Sequence, residues 1–497
     1  MHWLNINSDK THYPQTVQDA CDSFQSVELA TTAGSLQVIY DQRLWSRQPV
    51  SQSSSSLLVI AGWFVLNDEI NNLDALNRLI DETGLASALQ EITQGIFVGY
   101  HQTGADYQVF TDWFGLAAHY YYRNDEHIRV SPSASAISAA GEVDPFIDDI
   151  IQRKGHVWGK HTRYKNVFRM LPGEMLSNHL ESRTYCNFKT SDVKAVSEIP
   201  NLIQKNLSIF EKQTKLVSLS AGFDSRLLAL VGDASFAYTW GPENSKDIRN
   251  SKFICEKLGF DSYHFPFRRH KYTDDDVGFL RWLLDGQNKT FEPQFFRNFK
   301  AVSQKATGQF ISLDGYLGDV LQRGVYLYGP KLRSEFKKLF PLLFSKDKPT
   351  KVLLERYSSL TQAQKSLLVT DSNNLLRAIQ ADYVDSRHHV TLFEFMFGRG
   401  FAHIYMGGIA MNGVVNVVVP AFAQPAIVKA CVTAPVSDVL DYTVFKDVWK
   451  HLDSDIVRLT SEGMYSPKTP KRLIPFFNFV GRVLTNYVPK FKNYGKE

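Results

Sequence analysis

The sequence has little of several features that would quickly assign it to a class of proteins. Four cysteines are scattered among 497 residues without a C-x-x-C spacing. We therefore expect reduced, mostly buried thiols, and neither a disulfide framework nor a zinc site. The formal net charge is only +4, and no nucleic-acid-binding motif is present, so we expect no nucleic-acid partner.

Long apolar runs are also lacking. The most apolar region, residues 414–428, is interrupted by Asn416, Pro420, Gln424 and Pro425, so it cannot span a bilayer as one helix. The first nine residues contain no cationic stretch followed by an apolar one, and we expect no signal peptide. With 44% apolar and 21% charged residues, the composition is typical of a globular protein, and we expect a cytoplasmic one.

The pattern of the chain changes near residue 195. Before residue 190, short β-branched and aromatic runs alternate with turn residues, which predicts a β-rich domain with some helix. After Pro200, helices alternate with strands, which predicts a parallel sheet with right-handed crossovers. From about Arg333 the pattern is mostly helical. The predicted elements that matter most are strands Leu57–Leu66, Gly95–Tyr100, Tyr107–Thr111, Leu216–Leu219 and Phe236–Trp240, and helices Leu73–Ile80, Leu85–Ile92 and Ser245–Leu258.

One strand–loop–helix segment is the most informative part of the sequence. The strand Leu216–Leu219 runs into Ser220-Ala-Gly-Phe-Asp-Ser225, and an apolar helix follows. Such a turn directs backbone N–H groups and the positive end of a helix dipole at an anion, and Ser220 and Ser225 can add hydroxyl donors. Asp224 would repel phosphate by itself, so its presence indicates a bridging cation, most simply Mg²⁺. An ordinary strand–turn–helix is the alternative.

This loop resembles the pyrophosphate-binding loop S-G-G-x-D-S of the PP-loop ATP pyrophosphatases, with Ala221 in place of one glycine. Two further segments, Asp112–Leu116 and Asp314–Asp319, resemble motifs of asparagine synthetase and its relatives β-lactam synthetase and the lasso-peptide cyclases. The resemblance implies an α/β protein with a β-rich Ntn-hydrolase-like sandwich domain at 1–190. A PP-loop (adenine nucleotide α-hydrolase-like) synthetase domain with a parallel sheet and a helical C-terminal part would follow at 195–497.

The sequence departs from that family in two places that bear on function. Glutaminases of this type use an N-terminal cysteine as nucleophile, whereas position 2 is His2, so we expect no glutamine hydrolysis. Tyr316 and Val320 stand where asparagine synthetase has glutamates, which disfavours asparagine as the product. Tyrosine also occupies the first of these positions in β-lactam synthetase, where it helps to deprotonate an amine. Tyr316 is thus a catalytic candidate; a packing role is the alternative, because Leu317 also replaces a family glycine.

The resemblance implies a reaction and a set of residues for it. A substrate carboxylate would attack the α-phosphorus of ATP to give an acyl-adenylate and pyrophosphate, and an amine would then displace AMP. Ser220, Gly222 and Ser225 are expected to hold phosphates, and Asp224 and Asp319 to hold Mg²⁺.

Four further residues complete the predicted site. Gly315 and Asp247 are assigned to the nucleotide, although Ser245 as an N-cap with Asp247 in the first helical turn is a sufficient structural explanation. Arg226 would either reach phosphate or lie solvated on its helix. A late cation for the α-phosphate is assigned to Lys468, with three competitors: Lys446, Lys450 and Lys471.

We therefore predict an ATP-dependent, AMP-forming carbon–nitrogen ligase that joins a small-molecule or peptide carboxylate to an amine. Two alternatives stay open: an ammonia-dependent asparagine synthetase, and a catalytically inactive nucleotide-binding or scaffold protein. The basic C-terminal tail after Lys468 has a composition that could rest on an anionic membrane, but a solvated, partly docked extension is the commoner outcome. Neither the substrate nor the oligomeric state follows from the sequence.

Overall fold

The computed structural model describes residues 3–7, 23–123, 128–138, 141–179, 181–189, 193–265, 273–289, 293–306, 308–328, 339–340, 347–381 and 384–487. The expectations for His2, for Cys21 and for the last ten residues of the basic tail lie outside the described residues. Cys186, Cys255 and Cys431 are buried free thiols, as expected.

The N-terminal part contains two antiparallel sheets whose strands contact one another face to face. The first has the spatial order β11-β9-β10-β1-β3-β2, and the second has the order β13-β12-β8-β7-β5-β4, with β6 paired to β5. In chain order the strands are β1 (Trp3–Ile6), β2 (Phe24–Thr31), β3 (Gly34–Asp41), β4 (Val50–Gln52), β5 (Ser56–Leu66), β6 (Glu69–Ile70), β7 (Gln94–Thr103), β8 (Asp106–Thr111), β9 (Tyr120–Arg123), β10 (Ile128–Ser131), β11 (Val167–Arg169), β12 (Glu174–Ser177) and β13 (Ser182–Thr184).

Strand β5 shows why this half needs two layers. Nearly every residue of the strand is buried. A continuous apolar run of this kind needs other elements to cover both of its faces. One face is covered by the first sheet and the other by an amphipathic helix, α1 (Leu73–Thr83), which begins where Asn72 accepts a hydrogen bond from the Ala75 N–H at 3.0 Å. The long pairing of β5 with β7, from Ser56↔Thr103 to Val65↔Gln94, forms the centre of the second sheet.

The C-terminal part is organised around a parallel sheet, whose described strands have the order β16-β15-β14-β17-β18. They are β14 (Thr214–Ser218), β15 (Phe236–Trp240), β16 (Asp261–Phe265), β17 (Gln309–Asp314) and β18 (Val417–Pro420). The central strand β14 pairs with β15 on one side and β17 on the other, and every pairing is parallel. The chain runs outward from β14 to β15 and β16, then crosses to β17 on the other side of β14 and continues outward to β18. This change of direction beside β14 opens a crevice at the carboxyl ends of the strands.

Helices cover both sheet systems. The remaining α-helices are α2 (Leu85–Gln90), α3 (Ala134–Ile137), α4 (Pro145–Lys154), α5 (Ile199–Ser208), α6 (Phe223–Val231), α7 (Lys246–Leu258), α8 (Asp274–Leu284), α9 (Pro293–Lys305), α10 (Gly318–Arg323), α11 (Pro349–Arg356), α12 (Gln362–Ala378), α13 (His388–Leu392), α14 (Ala410–Asn412), α15 (Pro425–Thr433), α16 (Val436–Leu440), α17 (Thr443–Val448), α18 (Asp455–Arg458) and α19 (Ile474–Tyr487). Two π-helical segments, Phe393–Phe397 and Gly400–Ile409, lie between α13 and α14. Short 3₁₀ turns occur at Val196–Glu198, Val325–Leu327 and Lys471–Leu473.

This architecture confirms the predicted fold class: a β-rich antiparallel part followed by a parallel α/β part. Region 414–428 is interrupted as expected, because β18 ends at Pro420 and α15 starts at Pro425. No helix in the described ranges is long and apolar enough to cross a membrane. The boundary at 190–195 stays a prediction, and one hydrophobic core runs without a break from the sandwich into the parallel sheet.

Candidate functional site

The predicted phosphate loop lies at the carboxyl end of the central parallel strand. Strand β14 ends at Ser218, and helix α6 begins at Phe223 after Gly222 in extended conformation. The apolar residues of the strand and of one face of the helix are buried in the core. Because both elements are anchored in this way, the polar turn between them is held at the edge of the sheet. This is the crevice in which parallel α/β proteins bind ligands.

Two serines shape this loop from inside. The Ser225 hydroxyl accepts a hydrogen bond from the Ser220 N–H at 3.2 Å, and the two hydroxyl oxygens are 3.2 Å apart. The Gly222 N–H donates to the Ser220 hydroxyl at 3.1 Å. Both predicted donors thus lie in the loop, where they first serve to hold the turn closed.

Asp247 joins the loop to the next helix. Its carboxylate accepts a hydrogen bond from the Ala221 N–H at 2.6 Å. Ser245 is the N-cap of α7, as expected, and accepts from the Ile248 N–H at 3.1 Å. The structure therefore adds to the capping explanation a direct contact between Asp247 and the loop: the Ala221 N–H is paired with a carboxylate of the protein itself.

Arg226 is fully buried and lies beneath the loop. Its terminal nitrogens donate to the carbonyls of Ala221 at 2.9 Å, of Leu459 at 2.5 Å and of Ile456 at 3.4 Å. Burial lowers the pKa of this guanidinium to about 10. The expectation of a solvated helix residue is wrong, and the contacts favour a clamp that ties the loop to segment 456–459. A direct contact with phosphate stays a prediction.

Asp224 is the contact between the first loop and the second. Its carboxylate accepts from the Gln322 amide at 3.3 Å, and one oxygen lies 3.6 Å from the Arg323 guanidinium. A Cβ atom on Gly318 would lie 2.4 Å from the Asp224 carboxyl carbon, so only glycine fits there. Burial raises the pKa of Asp224 to about 7, and the positive charge of Arg323 offsets only part of this effect.

The second loop joins β17 to α10 through an unusual backbone conformation. The Asp314 carboxylate accepts from the Tyr316 N–H at 2.8 Å, and Leu317 has a φ of +76°. A leucine at this angle is strained by about 1–2 kcal/mol, because its Cβ crowds the backbone. Asp319 follows in the first turn of α10. Burial raises the pKa of Asp314 to about 6.

Tyr316 packs under the second loop. Its ring lies 6.0 Å from Phe395 and 5.6 Å from Tyr405, and the residue is 5% exposed. Within the described chain its hydroxyl has no hydrogen-bond partner. Burial raises its pKa well above the ordinary value of 10, so the hydroxyl is protonated at neutral pH. The packing role is evident, while the catalytic role stays a prediction.

A cavity of about 310 Å³ opens beside the second loop. Its walls come from the carboxyl ends of β14, β15 and β17, from α9 and from the second π-helix, Gly400–Ile409. Gly315 and Asp319 of the second loop line the cavity. From the first strand–loop–helix segment, the described lining residue is Ser218, the last residue of β14.

Lys468 is partly exposed and has a contact with a surface carboxylate. Its ammonium is 3.5 Å from the Asp453 carboxylate, and the side chain is 43% exposed. The competitor Lys446 donates to the carbonyls of Pro467 and Thr469, and Lys471 is 2.8 Å from Asp441. These contacts give no direct link between the three lysines and the loops, and a role at the α-phosphate stays a prediction for Lys468.

Three residues that sequence reasoning did not select lie at the loops. Gln322 and Arg323 contact Asp224, as described above. Lys246 donates to the Ser461 carbonyl at 2.7 Å and to the Thr460 hydroxyl at 2.8 Å, and burial lowers its pKa. Their positions in the sequence could have indicated them. Lys246 directly precedes Asp247, and Gln322 and Arg323 follow Asp319 by about one helical turn.

No group of three or more histidine, cysteine or carboxylate side chains that could hold a metal ion occurs in the described ranges. The Asp319 N–H donates to the Asp224 carboxylate, and the negative charge of Asp319 adds to the rise in the pKa of Asp224, so the two carboxylates interact. Two carboxylates suit a Mg²⁺ that completes its shell with phosphate oxygens and water, as this ion commonly does. The donor set thus fits the predicted ion.

No protein-family model matches this chain, and no curated protein matches it. A glutamine phosphoribosylpyrophosphate (PRPP) amidotransferase from B. subtilis, complexed with ADP and GMP, is similar at 10% identity over 53% of this chain and 90% of its own, with a TM-score of 0.25. A second structure, described as the allosteric regulatory enzyme of purine biosynthesis, is similar at 9% identity over 53% of this chain and 80% of its own, with the same TM-score. Similarity of this size carries no information about activity.

Proposed function

We propose that this protein is an ATP-dependent amide-bond-forming ligase that releases AMP and pyrophosphate. The observation that carries the proposal is the meeting of two loops at the carboxyl edge of the parallel sheet. The first loop contains the serines and the helix N-terminus, the second contains Asp319, and Asp224 joins them beside a cavity.

The β- and γ-phosphates of ATP would bind at the first loop. The N-terminus of α6 presents backbone N–H groups, and the helix dipole favours negative charge there. Ser220 and Ser225 can turn their hydroxyl protons outward, and the Gly222 N–H can exchange its partner for phosphate. Asp247 would have to release the Ala221 N–H, or share it, when phosphate arrives.

Mg²⁺ would be held by Asp224 and Asp319, and when bound it would neutralise charge on the departing pyrophosphate. Arg323 supplies a second positive charge at the same place. Because its guanidinium lies within 4 Å of Asp224, it can stabilise the carboxylate in the free protein and a phosphate oxygen in the complex.

The second half of the reaction needs an amine. A substrate amine or free ammonia would attack the acyl-adenylate and displace AMP. This proposal expects no glutamine hydrolysis, because His2 stands where such glutaminases have their cysteine nucleophile. Asparagine as product is disfavoured by Tyr316 and Val320 in place of glutamates.

The test is carboxylate-dependent pyrophosphate release from Mg-ATP, assayed with pooled amino acids, sugar acids and small peptides. Asp224→Ala should abolish release, whereas Asp261→Ala should not, because Asp261 is exposed at the opposite, amino end of the sheet. Release that is equal in both variants, or failure of the wild type to bind ATP, would contradict the proposal.

Two contacts favour a second candidate, a nucleotide-binding protein without turnover. Asp247 already occupies a loop amide, and Arg323 already neutralises Asp224. Both contacts pair polar groups of the loops within the protein itself, as expected of a nucleotide site that no longer catalyses a reaction. ATP binding without pyrophosphate release from any pool would support this candidate, and binding should then strengthen in Asp247→Asn because one negative charge is removed.

A further inference from the structure

The cavity beside the second loop has one strongly aromatic wall. Trp240 lies 5.5 Å from Tyr238, 5.4 Å from Phe295 and 5.5 Å from Phe299, measured between ring centroids. All four rings line the cavity. Tyr238 and Trp240 lie on β15, and Phe295 and Phe299 lie on α9. The Trp240 ring is inclined to the other three rings, so the wall offers more than one aromatic face.

The cavity is also lined by polar and acidic residues. Asp314 and Asp319 line it, together with Ser218 and Tyr316. Tyr316 is 5% exposed, and its hydroxyl has no partner among the described residues. Among the described lining residues there is no lysine, arginine or histidine. The charge of Asp319 interacts with that of Arg323, so Asp314 is the lining carboxylate whose charge is not balanced by the described cavity wall.

The floor is formed by the second π-helix, which contributes Ile404, Gly408 and Ile409. A Cβ atom built on Gly408 would meet nothing within 4 Å. A larger side chain at this position would therefore extend into open space without distorting the helix, and π-helical segments are frequent at functional sites.

These features select one ligand chemistry. Aromatic faces attract cations, and the Asp314 carboxylate, whose charge is not balanced by a lysine, arginine or histidine among the described lining residues, attracts them further, while an anion would be repelled. A cavity near 300 Å³ is at the small end of small-molecule sites, and its mainly apolar walls suit a compact apolar body.

We propose that this cavity binds a primary ammonium group carried on a compact aromatic or aliphatic body. If the proposed ligase function holds, on which this part rests, the bound amine is the nucleophile of the second half-reaction. The ammonium first loses a proton to the Asp314 carboxylate. Its nitrogen then forms the C–N bond, the acyl C–O bond breaks, AMP leaves with the electron pair, and the second proton passes to water.

Binding can be tested without nucleotide, by titrating the tryptophan fluorescence of the full chain with phenethylamine and with 3-phenylpropionate. The amine should bind at least tenfold more tightly than the anion. Gly408→Leu should abolish the response, whereas Gly278→Leu should not, since Gly278 lies on the exposed surface of α8 with open space around it. Loss of the signal in Trp240→Phe assigns the response to this cavity.

Asp314→Asn should remove the preference for the amine while leaving the thermal midpoint within a few degrees of wild type. Equal binding of both compounds, tighter binding of the anion, or an undiminished response in Gly408→Leu would overturn the inference. If the titrations fail while pyrophosphate release is normal, the amine-binding inference is wrong and the ligase proposal stands. If the titrations succeed but no pyrophosphate is released, the amine-binding inference stands and the ligase proposal is wrong.

Discussion

At the scale of single residues, Asp224 is where the two loops depend on each other. Its carboxylate is 16% exposed and receives the Gln322 amide, the Asp319 N–H and the nearby charge of Arg323. Burial nevertheless raises its pKa to about 7, so near neutral pH the group exchanges its proton with solvent while the folded chain stays intact. A bound cation would favour the ionised form, which couples metal binding to proton release.

This pKa predicts how stability changes with pH. A carboxyl whose pKa is higher in the folded state stabilises the fold below its unfolded value of 3.8, and that contribution is lost as the pH rises through about 7. Asp224→Asn does not titrate. We therefore expect the variant to gain about 2 kcal/mol relative to wild type between pH 5 and pH 8.

Urea unfolding of both proteins at the two pH values measures this difference. A constant difference would mean that Arg323 keeps Asp224 ionised throughout this pH range. Arg323→Met provides the matching control, because without the guanidinium the pH dependence attributed to Asp224 should increase.

At the scale of elements, two glycines allow the strand–loop–helix units to approach each other. A Cβ on Gly318 would lie 2.4 Å from the Asp224 carboxyl carbon, and one on Gly315 would lie 3.0 Å from the Asp224 Cβ. The first residue of α10 and the first turn of α6 are thus in contact through backbone and one side chain. Leu317, with its positive φ, supplies the turn that makes this approach possible.

These distances predict a graded effect of alanine substitutions. Gly318→Ala forces the two loops apart and should cost about 2–3 kcal/mol of stability, together with most of the nucleotide affinity. Gly315→Ala should cost less, since a shift of a few tenths of an ångström relieves its contact. Gly278→Ala, with nothing nearby, should be neutral or slightly stabilising, since alanine favours helix.

Thermal midpoints and ATP binding of the three variants, measured together, test the order. The reverse order, or equal effects of Gly318→Ala and Gly278→Ala, would show that the loops are further apart in solution than in this structure.

At the scale of the whole molecule, a buried arginine links the sandwich to the helical part. Arg169, at the end of β11, donates to the carbonyls of Met396 at 3.2 Å and Gly115 at 3.3 Å. Its guanidinium stacks 3.1 Å from the centroid of Phe401. Burial lowers its pKa to about 9. Arg169 thereby connects the N-terminal half to both π-helices, and the second of them, Gly400–Ile409, forms part of the cavity wall.

We expect Arg169→Ala to lower the free energy of unfolding by about 3 kcal/mol, through lost packing and two carbonyls left without donors. Arg169→Met keeps most of the stem volume and avoids a buried charge, so its cost should be smaller. Thermal unfolding monitored by tryptophan fluorescence compares the two variants. A larger loss for methionine than for alanine would contradict the packing explanation.

Local pattern was enough to predict much of this molecule. The apolar run of β14, the Ser220–Ser225 turn and the α6 helix are adjacent in sequence, so their order and the strand–turn–helix geometry follow from short-range rules. The β-rich part and the parallel part were predicted for the same reason. Ser245 as an N-cap is likewise a contact over three residues.

Contacts between distant segments were decided only by the tertiary structure. Asp247 reaching Ala221, Arg226 turning beneath its own loop to segment 456–459, and Arg323 approaching Asp224 each depend on how separate elements pack. The assignment of Lys468 depended on counting along the chain, and counting cannot place a side chain in space. The sequence by itself determined that a polar turn joins β14 to α6 and where the main strands run, because those properties are local. Folding decided which charges face each other, since burial and pairing arise only when remote segments exclude water together.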